Sequence, residues 1–279
     1  MFNIKVLRES MEFVHLHVHT SYSPLEGADR IESILMAAEK MRFHAVAITD
    51  TNGLYGVPSF YRNALDKGIK PILGVEILEK RPLLKGSSHR KNRGRAISGL
   101  SQRAVLLAKN RRGYTNLCRI VTERHLSDRF DLVETLCRWG SDLFVLARDP
   151  HLLERLRGSV EKDSLFCEII LTGEPWKREE IREVLSTARR LRIPPVATND
   201  VHFIEPSGYM IHRVLSAIRT RSTVATVPGD VLAHEQAWLM PPAMMALLFK
   251  EIPEAIGNTR LIAEACEVEL ELGKVKFPP

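Results

Sequence analysis

The stretch FVHLHVHT (residues 13–20) places three histidines, His15, His17 and His19, at alternate positions among apolar residues. Alternate residues of a β-strand point to the same face of the sheet. We therefore predict a buried first strand that gathers imidazole groups on one side. Imidazoles are common metal ligands, but a single buried histidine is more often a hydrogen-bonded core residue. The rest of the chain has to supply further ligands if this is a metal site.

Further apolar runs follow this strand and alternate with amphipathic segments that are typical of helices. The runs are AVAITD (45–50), PILGVEIL (71–78), AVLLAKN (104–110), DLFVLAR (142–148), LFCEII (165–170) and PPVATNDVH (194–202). Such alternation predicts parallel strands joined by helical crossovers. We expect an α/β fold with a closed or nearly closed (β/α) barrel of seven strands over residues 1–220. An open doubly wound sheet is the alternative, but the chain has no GxGxxG or GxxxxGK phosphate loop.

Residues 221–279 differ from the preceding part of the chain. They predict a loop followed by helices around 241–250 and 253–267, and they end in the extended segment KVKFPP. We predict a helical appendage on the barrel that continues as a linker toward a further domain.

The bulk composition is that of a globular protein without membrane spans. The 279 residues contain no apolar run near the roughly 18 residues that cross a bilayer, and the N-terminal stretch MFNIKVLRESMEF lacks the long apolar core of a signal peptide. The four cysteines form no CxxC pair, which indicates free thiols rather than a disulfide framework. We predict a cytoplasmic protein with no membrane partner.

The net charge of +6 is concentrated in one segment, residues 80–103. It carries eight basic residues and no acidic one: Lys80, Arg81, Lys85, Arg90, Lys91, Arg93, Arg95 and Arg103. Glycine and serine are also frequent there, so one interpretation is a solvated loop. The other is contact with the phosphates of DNA, which requires clustered cations but no particular sequence.

Imidazoles or carboxylates follow almost every predicted strand, and in a parallel barrel such positions meet at one end. The residues concerned are His17, His19, Glu26, Asp50, Glu76, Glu123, His125, Asp149, Glu168, Asp200 and His202. So many buried acidic groups around one point would repel each other unless cations neutralise them. Imidazole with carboxylate suits Zn²⁺, Mn²⁺ or Fe²⁺ better than Ca²⁺, and such ions support hydrolysis of phosphate esters. The pair HxH on the first strand and DxH on the last is the most specific element of this pattern.

Five segments together resemble the polymerase-and-histidinol-phosphatase (PHP) domain, in the form found at the N-terminus of the bacterial DNA polymerase III alpha subunit. They are FVHLHVHTSYSPLEG, AVAITDTNGLYGV, GIKPILGVEI, VLLAKNRRGYTNLCRIVT and PPVATNDVHF. The C-terminal segment, from AWLMPPAMMALLF onward, resembles the connection of that domain to the polymerase body. The resemblance implies a distorted seven-stranded TIM-like barrel with one to three divalent metal ions. It also implies either a phosphoesterase, such as a 3′–5′ exonuclease or a pyrophosphatase, or an inactive scaffold.

The resemblance also implies a set of site residues. The metal ligands would be His17, His19, Glu26, Glu76, His125, Asp149, Asp200 and His202. The catalytic residues would be Asp200, His202 and Arg103, with Asp200 or a metal-bound hydroxide as the base and Arg103 holding the phosphoryl group. We interpret His15 as a buried hydrogen-bonding partner rather than a ligand.

Three positions depart from the family pattern. Thr51 and Arg103 stand where histidine is frequent, and Asp149 stands where cysteine is frequent. Threonine is a poor ligand and arginine cannot be one, so one metal position is in question. The chain also lacks the paired aspartates of a polymerase palm, so it should not synthesise DNA. The alternatives to an active phosphoesterase are a non-catalytic replicase module that docks partners, a small-molecule phosphatase, and an amidohydrolase-like barrel.

Overall fold

The computed structural model describes residues 13–79, 102–172 and 178–273. The basic segment 80–103 lies outside these ranges except for its last two residues. Its predicted contact with DNA therefore stays a prediction. None of the helices in the described ranges is long and apolar enough to cross a membrane.

The described ranges contain six strands and nine α-helices. In chain order they are α1 (Ile31–Lys40), β1 (Ala45–Ile48), α2 (Val57–Asp66), β2 (Lys70–Leu78), β3 (Arg103–Ala108), α3 (Arg111–Leu126), α4 (Leu132–Trp139), β4 (Leu143–Ala147), α5 (Pro150–Leu156), β5 (Leu165–Ile170), α6 (Arg178–Leu191), β6 (Pro195–Thr198), α7 (Gly208–Thr220), α8 (Pro242–Leu248) and α9 (Pro253–Ala265). Short 3₁₀ turns at Lys162–Ser164 and Gly229–Val231 complete the list. The predicted α/β alternation is confirmed.

The strands form one sheet in the order β1-β2-β3-β4-β5-β6. The pairs β1/β2, β4/β5 and β5/β6 are parallel. Strand β3 is antiparallel to both of its neighbours, β2 and β4. The prediction that all strands run parallel is therefore wrong at β3.

The connections of β3 explain its direction. Antiparallel neighbours need no helical crossover, and the sequence between β2 and β3 carries no helical pattern. Two helices, α3 and α4, separate β3 from β4, so the chain returns to the edge of the sheet where β3 ended. The side chain of Asn110, just after β3, donates to Asp142, just before β4, at 2.8 Å. The first residue of β3, Arg103, consequently lies at the edge where the parallel strands end.

Residues 13–19, predicted as the first strand, are extended but form only an isolated bridge, Val18 to Val201. The stretch lies between β1 and the segment after β6. Ala47 donates its backbone N–H to His15 at 2.9 Å, and Val201 donates to His17 at 3.0 Å. The count of seven strands is not confirmed, although the first stretch occupies the predicted place beside both ends of the sheet.

The two faces of the sheet have different coverings. One face packs on helices α1 to α6 in a large apolar cluster. The opposite face, here called the inner face, carries a second cluster that includes Leu16, Val105 and Leu146 together with Ile262 of α9. Along each strand the inner-face residues alternate with outer ones, so Glu76, Arg103 and Glu168 continue the inner face at the polar edge of the sheet.

The two predicted helices after residue 240 are confirmed as α8 and α9. Helix α9 contributes Ile262 and Ala263 to the inner-face cluster, and Cys266 follows directly after its last residue, so the apolar side of α9 belongs to the core of the sheet. The predicted division at residue 220 stays a prediction. His15 is fully buried between Phe13 and Phe43 and donates from Nε2 to the carbonyl of Met240 at 2.9 Å, as a core hydrogen-bonding residue.

Candidate metal centre

Two groups of buried side chains meet at the polar edge of the inner face. One group consists of His17, His19 and Glu76, and the other consists of His19, Asp200 and His202. Within each group one candidate ligand atom per residue lies within 4.8 Å of the others. The Nε2 atoms of His17 and His19 are 3.1 Å apart. Because His19 belongs to both groups, the two candidate metal positions are neighbours.

A carboxylate orients His17. Its Nδ1 lies 2.7 Å from Oε1 of Glu168, and the hydroxyl of Thr198 donates to the same oxygen at 2.8 Å. This contact turns Nε2 of His17 toward Asp200, whose Oδ1 is 3.4 Å away. A carboxylate on the far nitrogen sets the tautomer of a ligating imidazole and increases its basicity. Glu168, whose role was ambiguous from the sequence, thus orients a candidate ligand.

The loop after the first stretch orients His19. Nδ1 of His19 lies 3.0 Å from the hydroxyl of Ser23, which in turn donates to Oδ1 of Asp50 at 2.7 Å. Asp50 also accepts the backbone N–H and the hydroxyl of Thr20 at 2.7 and 2.9 Å. The loop passes so close to itself that a Cβ on Gly27 would lie 2.0 Å from the carbonyl oxygen of Thr20. Asp50 therefore holds the loop and does not face the cluster.

Asp200 forms the other side of the cluster. Its Oδ1 lies 3.2 Å from Nε2 of His19 and 3.1 Å from Nε2 of His202. The rings of His19 and His202 stack with centroids 4.3 Å apart. Asp200 has a backbone φ of 45°, in the left-handed region that non-glycine residues seldom adopt. Such strained positions are frequent at functional sites.

Arg103 faces two of the carboxylates. Its Nη1 lies 3.2 Å from Oε1 of Glu76 and 3.9 Å from Oδ2 of Asp200. Thr51, which replaces the expected histidine, donates to Oε2 of Glu26 at 2.6 Å and lies 3.4 Å from Glu76. Thus two of the three departures from the family pattern, Thr51 and Arg103, are adjacent to Glu76.

Protonated imidazoles balance the carboxylates of this cluster. Burial lowers the pKa of His17, but Asp200 and two glutamates outweigh that effect and raise the pKa to about 9. Burial also lowers the pKa of His19, but the hydrogen bond to Asp200 and the charge of Glu76 outweigh it and raise the pKa. Burial also acts against ionisation of Asp200, but the charges of His17 and His202 hold its pKa well below the usual range. For His202 burial is the main cause of a lowered pKa.

The donor set fits a divalent transition metal. Imidazole nitrogen and carboxylate oxygen are the ligands that Zn²⁺, Mn²⁺ and Fe²⁺ share. One buried atom at the cluster, Nδ1 of His202, has no hydrogen-bond partner within the described part of the chain, and Oε1 of Glu76 has only its ion pairs with Arg103 and His17. Buried polar atoms rarely stay without a partner, so the cluster has unused ligand capacity.

The structure does not bring the other three predicted ligands into either group. Glu26 pairs with Arg219 and accepts from Thr51. His125 is exposed and donates from Nε2 to the carbonyl of Asn52 at 2.7 Å. Asp149 caps α5, since its Oδ1 accepts the backbone N–H of Leu152 at 2.7 Å.

We expect Asp149→Ala to lower the free energy of unfolding by about 1 kcal/mol, because the first turn of α5 loses its cap. Metal content should be unchanged. Urea unfolding and elemental analysis of the variant and the wild type would check both expectations. A drop in bound metal would instead support the ligand role that the sequence predicted for Asp149.

A cavity of about 490 Å³ opens beside the cluster. Its walls include Glu76, Asp200 and His202 from the cluster, as well as three arginines, Arg103, Arg148 and Arg219. Sequence reasoning did not identify Arg148, Arg219 or His212 as site residues. The only sequence signal for Arg148 is its place directly after a strand, next to Asp149.

His212 was also missed, since it lies within α7 with no flanking motif. It is buried, donates from Nδ1 to the carbonyl of Glu26 at 2.8 Å and accepts the N–H of Ala233 at 2.9 Å. Burial lowers its pKa to about 4, so it is neutral at ordinary pH. His212 therefore connects two parts of the chain behind His202. One is the loop that contains Glu26, and the other is the segment that follows α7.

The chain matches the family model described as PHP domain over residues 15–194. It is 30% identical to the DNA polymerase III subunit alpha of Chlamydia pneumoniae, over 96% of this chain and 25% of that protein. Identity to the corresponding subunit of Pseudomonas fluorescens is 29%, over 95% of this chain and 23% of that protein. The chain thus spans about a quarter of the length of these relatives.

Among solved structures, an amidohydrolase from Chromobacterium violaceum aligns with a TM-score of 0.46 and 13% identity, covering 68% of this chain and 87% of that one. A protein described as a metal-dependent phosphoesterase from Bifidobacterium adolescentis aligns with a TM-score of 0.42 and 15% identity, with the same coverage.

Proposed function

The chain belongs to the PHP domain family, and from that premise we propose that it is the metal-dependent phosphoesterase module of a DNA polymerase III alpha-like protein. The substrate class that we propose is a phosphodiester at a DNA 3′ end, as for a proofreading exonuclease, with pyrophosphate as a second substrate. The main observation in support of this proposal is the pair of His/Asp/Glu groups that share His19 and lie beside one cavity.

Five residues form the proposed metal-binding set: His17, His19, Glu76, Asp200 and His202. Zn²⁺, Mn²⁺ or Fe²⁺ in such a set polarises a phosphoryl oxygen and lowers the pKa of water. The residues themselves have two further tasks. Glu168 and Ser23 hold the rings of His17 and His19 in place, and the apolar inner face below them keeps bulk water out.

Asp200 is the proposed general base. Its carboxylate is buried, is kept ionised by the neighbouring imidazoles, and lines the cavity that a substrate would enter. Nε2 of His202 lies 3.1 Å from Oδ1 of Asp200, so the imidazole N–H can donate to the ionised carboxylate and hold it in position.

The test is metal-dependent hydrolysis by the wild type and by Asp200→Asn. We expect Mn²⁺-loaded wild type to hydrolyse bis(p-nitrophenyl) phosphate and Asp200→Asn to lose about 100-fold or more in rate, in line with removal of a general base. Asp230→Asn is the matched control, since Asp230 is exposed and lines the same cavity. A wild type that binds no metal, or equal rates for all three proteins, would contradict the proposal.

Metal binding should depend on pH in a defined direction. An incoming cation must displace the proton of His17, whose raised pKa is about 9, so affinity for Mn²⁺ rises as pH increases from 6.5 to about 9. The slope should be about tenfold per pH unit for each proton displaced. Calorimetry in buffers of different ionisation enthalpy measures both affinity and proton release. A flat profile would show that His17 is already neutral.

The metal-free protein should show the opposite trend in stability. Since the pKa of His17 is higher in the folded state, its stabilising contribution is present below pH 6.5 and lost as pH rises toward about 9.

The second candidate function is a non-catalytic module of the replicase that stabilises the polymerase body or docks other subunits. One observation favours it, namely the guanidinium of Arg103 at 3.2 Å from Glu76. A tethered cation there can neutralise the carboxylates without any metal. If neither Mn²⁺ nor Zn²⁺ binds or raises the melting temperature, this function is the better one.

Three wider expectations belong to the same proposal. Residues 13–19 would complete a seven-stranded barrel, which their backbone hydrogen bonds to Ala47 and Val201 support. Residues 221–279 would connect to a polymerase body, as in relatives about four times longer than this chain. The basic segment 80–103 would contact DNA.

A further inference from the structure

We propose that His212 is a positioning residue of the candidate site, which holds residues 231–234 in place as a wall of the cavity that contacts the substrate. The role of this wall in substrate binding rests on the phosphoesterase function proposed above. The contact between His212 and the wall is a property of the fold and needs no metal.

The wall has little packing of its own. Its residues, Val231, Leu232, Ala233 and His234, line the cavity beside the cluster, and none of them is buried. They lie outside the α-helices and strands, and only Val231 belongs to a 3₁₀ turn. A segment with few buried contacts depends on its hydrogen bonds to stay in one conformation. The partners of the wall therefore decide the shape of this side of the cavity.

Two side chains of α7 bind the wall, and both also contact Glu26. Nε2 of His212 accepts the backbone N–H of Ala233 at 2.9 Å, and Nδ1 donates to the carbonyl of Glu26 at 2.8 Å. About two turns further along the helix, Arg219 donates from Nη2 to the carbonyl of Val231 at 2.8 Å. The same guanidinium pairs with the carboxylate of Glu26. Helix α7 thus connects the wall to the loop that contains Glu26.

The two contacts of His212 define its protonation state. A carbonyl oxygen only accepts, so Nδ1 carries the proton, and a backbone N–H only donates, so Nε2 is unprotonated. His212 is therefore a buried, neutral imidazole with both ring nitrogens in use. Because neither nitrogen is left to bind a metal or to move a proton, its role is to hold its neighbours.

The far end of the wall is attached to the DxH motif. Nε2 of His234 donates to the carbonyl of Asn199 at 3.2 Å. Nδ2 of Asn199 donates to the carbonyls of Gln236 and Trp238 at 2.7 and 2.8 Å. Asn199 directly precedes Asp200, the proposed base. Because this end stays attached to the motif, loss of the α7 contacts should loosen the wall without displacing the cluster.

The chemistry of the wall differs from that of the cluster. Val231, Leu232 and Ala233 are apolar, whereas the cluster consists of imidazoles and carboxylates. Ligand pockets combine an apolar lining with a few polar groups that fix orientation. A phosphoester with its phosphate at the cluster would bring its organic group, such as a nucleobase or an aryl ring, to the wall. The inference therefore assigns the wall to the organic part of the substrate and not to the phosphate.

The first test is hydrogen exchange of the metal-free protein, followed by mass spectrometry of peptides that cover residues 231–234. In His212→Asn the side-chain amide can replace Nδ1 but is too short to accept from Ala233, so the Ala233 amide should exchange about tenfold faster or more. In His212→Gln the oxygen can reach the position of Nε2, so exchange should stay close to that of the wild type. Ile211→Ala, an exposed position of the same helix, is the matched control and should exchange like the wild type.

The second test measures hydrolysis of bis(p-nitrophenyl) phosphate by the same proteins loaded with Mn²⁺. We expect the KM of His212→Asn to rise about fivefold or more while kcat changes by less than about twofold, because contacts to the organic group are lost and the cluster is intact. Inhibition by inorganic phosphate, which has no organic group, should be the same in this variant and in the wild type. His212→Gln should have the KM of the wild type, which a general loss of stability would not explain.

The outcomes separate this inference from the proposed function. Unchanged exchange in folded His212→Asn, or an equal increase in Ile211→Ala, overturns the role of His212. Faster exchange with an unchanged KM overturns the contact of the wall with the substrate. A wild type without hydrolysis rejects the phosphoesterase function, and the exchange of Ala233 then still decides whether His212 holds the wall. If His212→Asn does not fold, Arg219→Gln takes its place, because it removes the other α7 contact with the wall and should also speed exchange.

Discussion

Replacing His19 with alanine is expected to abolish both candidate metal positions at once. His19 is the one residue common to the two groups, His17–His19–Glu76 and His19–Asp200–His202. His17→Ala should remove only the first position, and His202→Ala only the second. Elemental analysis after Mn²⁺ loading should therefore find two ions in the wild type. It should find one ion in His17→Ala, one in His202→Ala and none in His19→Ala. If the wild type binds two ions, the rate of hydrolysis should be about 100-fold or more lower in His19→Ala than in the wild type.

The matched control is His151→Ala, whose side chain is 89% exposed and distant in sequence from the cluster. It should bind as much metal as the wild type. Circular dichroism would establish that the His19 variant is folded, which matters because His19 also contacts Ser23. One ion retained in a folded His19→Ala protein would contradict the shared-ligand arrangement.

Asp50→Ala is expected to have the second-largest effect, and this effect is on stability. The buried carboxylate accepts three hydrogen bonds, from the backbone and hydroxyl of Thr20 and from the hydroxyl of Ser23. Without it three buried donors lose their partner, which costs about 1 kcal/mol each, so unfolding free energy should fall by about 3 kcal/mol. Metal affinity should also fall by about 10- to 100-fold, because Ser23 no longer holds His19.

Asp50→Asn provides the graded control. An amide of the same shape still offers a carbonyl oxygen to Thr20 and Ser23, so its loss of stability should be clearly smaller. Urea denaturation of the three proteins measures the difference. Equal stability of wild type and Asp50→Ala would show that the loop does not depend on this carboxylate.

The chemistry of the site was predictable from local sequence. HxH and DxH motifs each place two ligand-type side chains within two residues, and the structure brings His17, His19, Asp200 and His202 into one buried cluster. Glu76 was predictable because it is a carboxylate within a run that is otherwise apolar from Pro71 to Leu78. A polar residue isolated in a buried apolar strand needs a polar partner, and these five residues serve as partners for one another.

The predicted ligands that the structure leaves outside the cluster share a different property. Glu26, His125 and Asp149 lie in a loop, at a helix end and at a helix cap. Local backbone geometry offers such side chains alternative partners: Arg219, the carbonyl of Asn52 and the first turn of α5. Sequence spacing cannot show which partner prevails, because the competing contacts are distant in the chain or depend on helix geometry.

The sequence by itself determined the α/β class, the family and the ligand chemistry, because hydrophobic periodicity and residue type are local properties. Only the tertiary structure decided the direction of β3, and with it the position of Arg103 beside Glu76 at the edge where the cluster lies. Strand direction depends on how the connections on either side return to the sheet, which no local pattern encodes. The same long-range packing places His19 in both groups of candidate ligands. It also leaves Arg148, which lines the cavity, without an ion pair among the described residues.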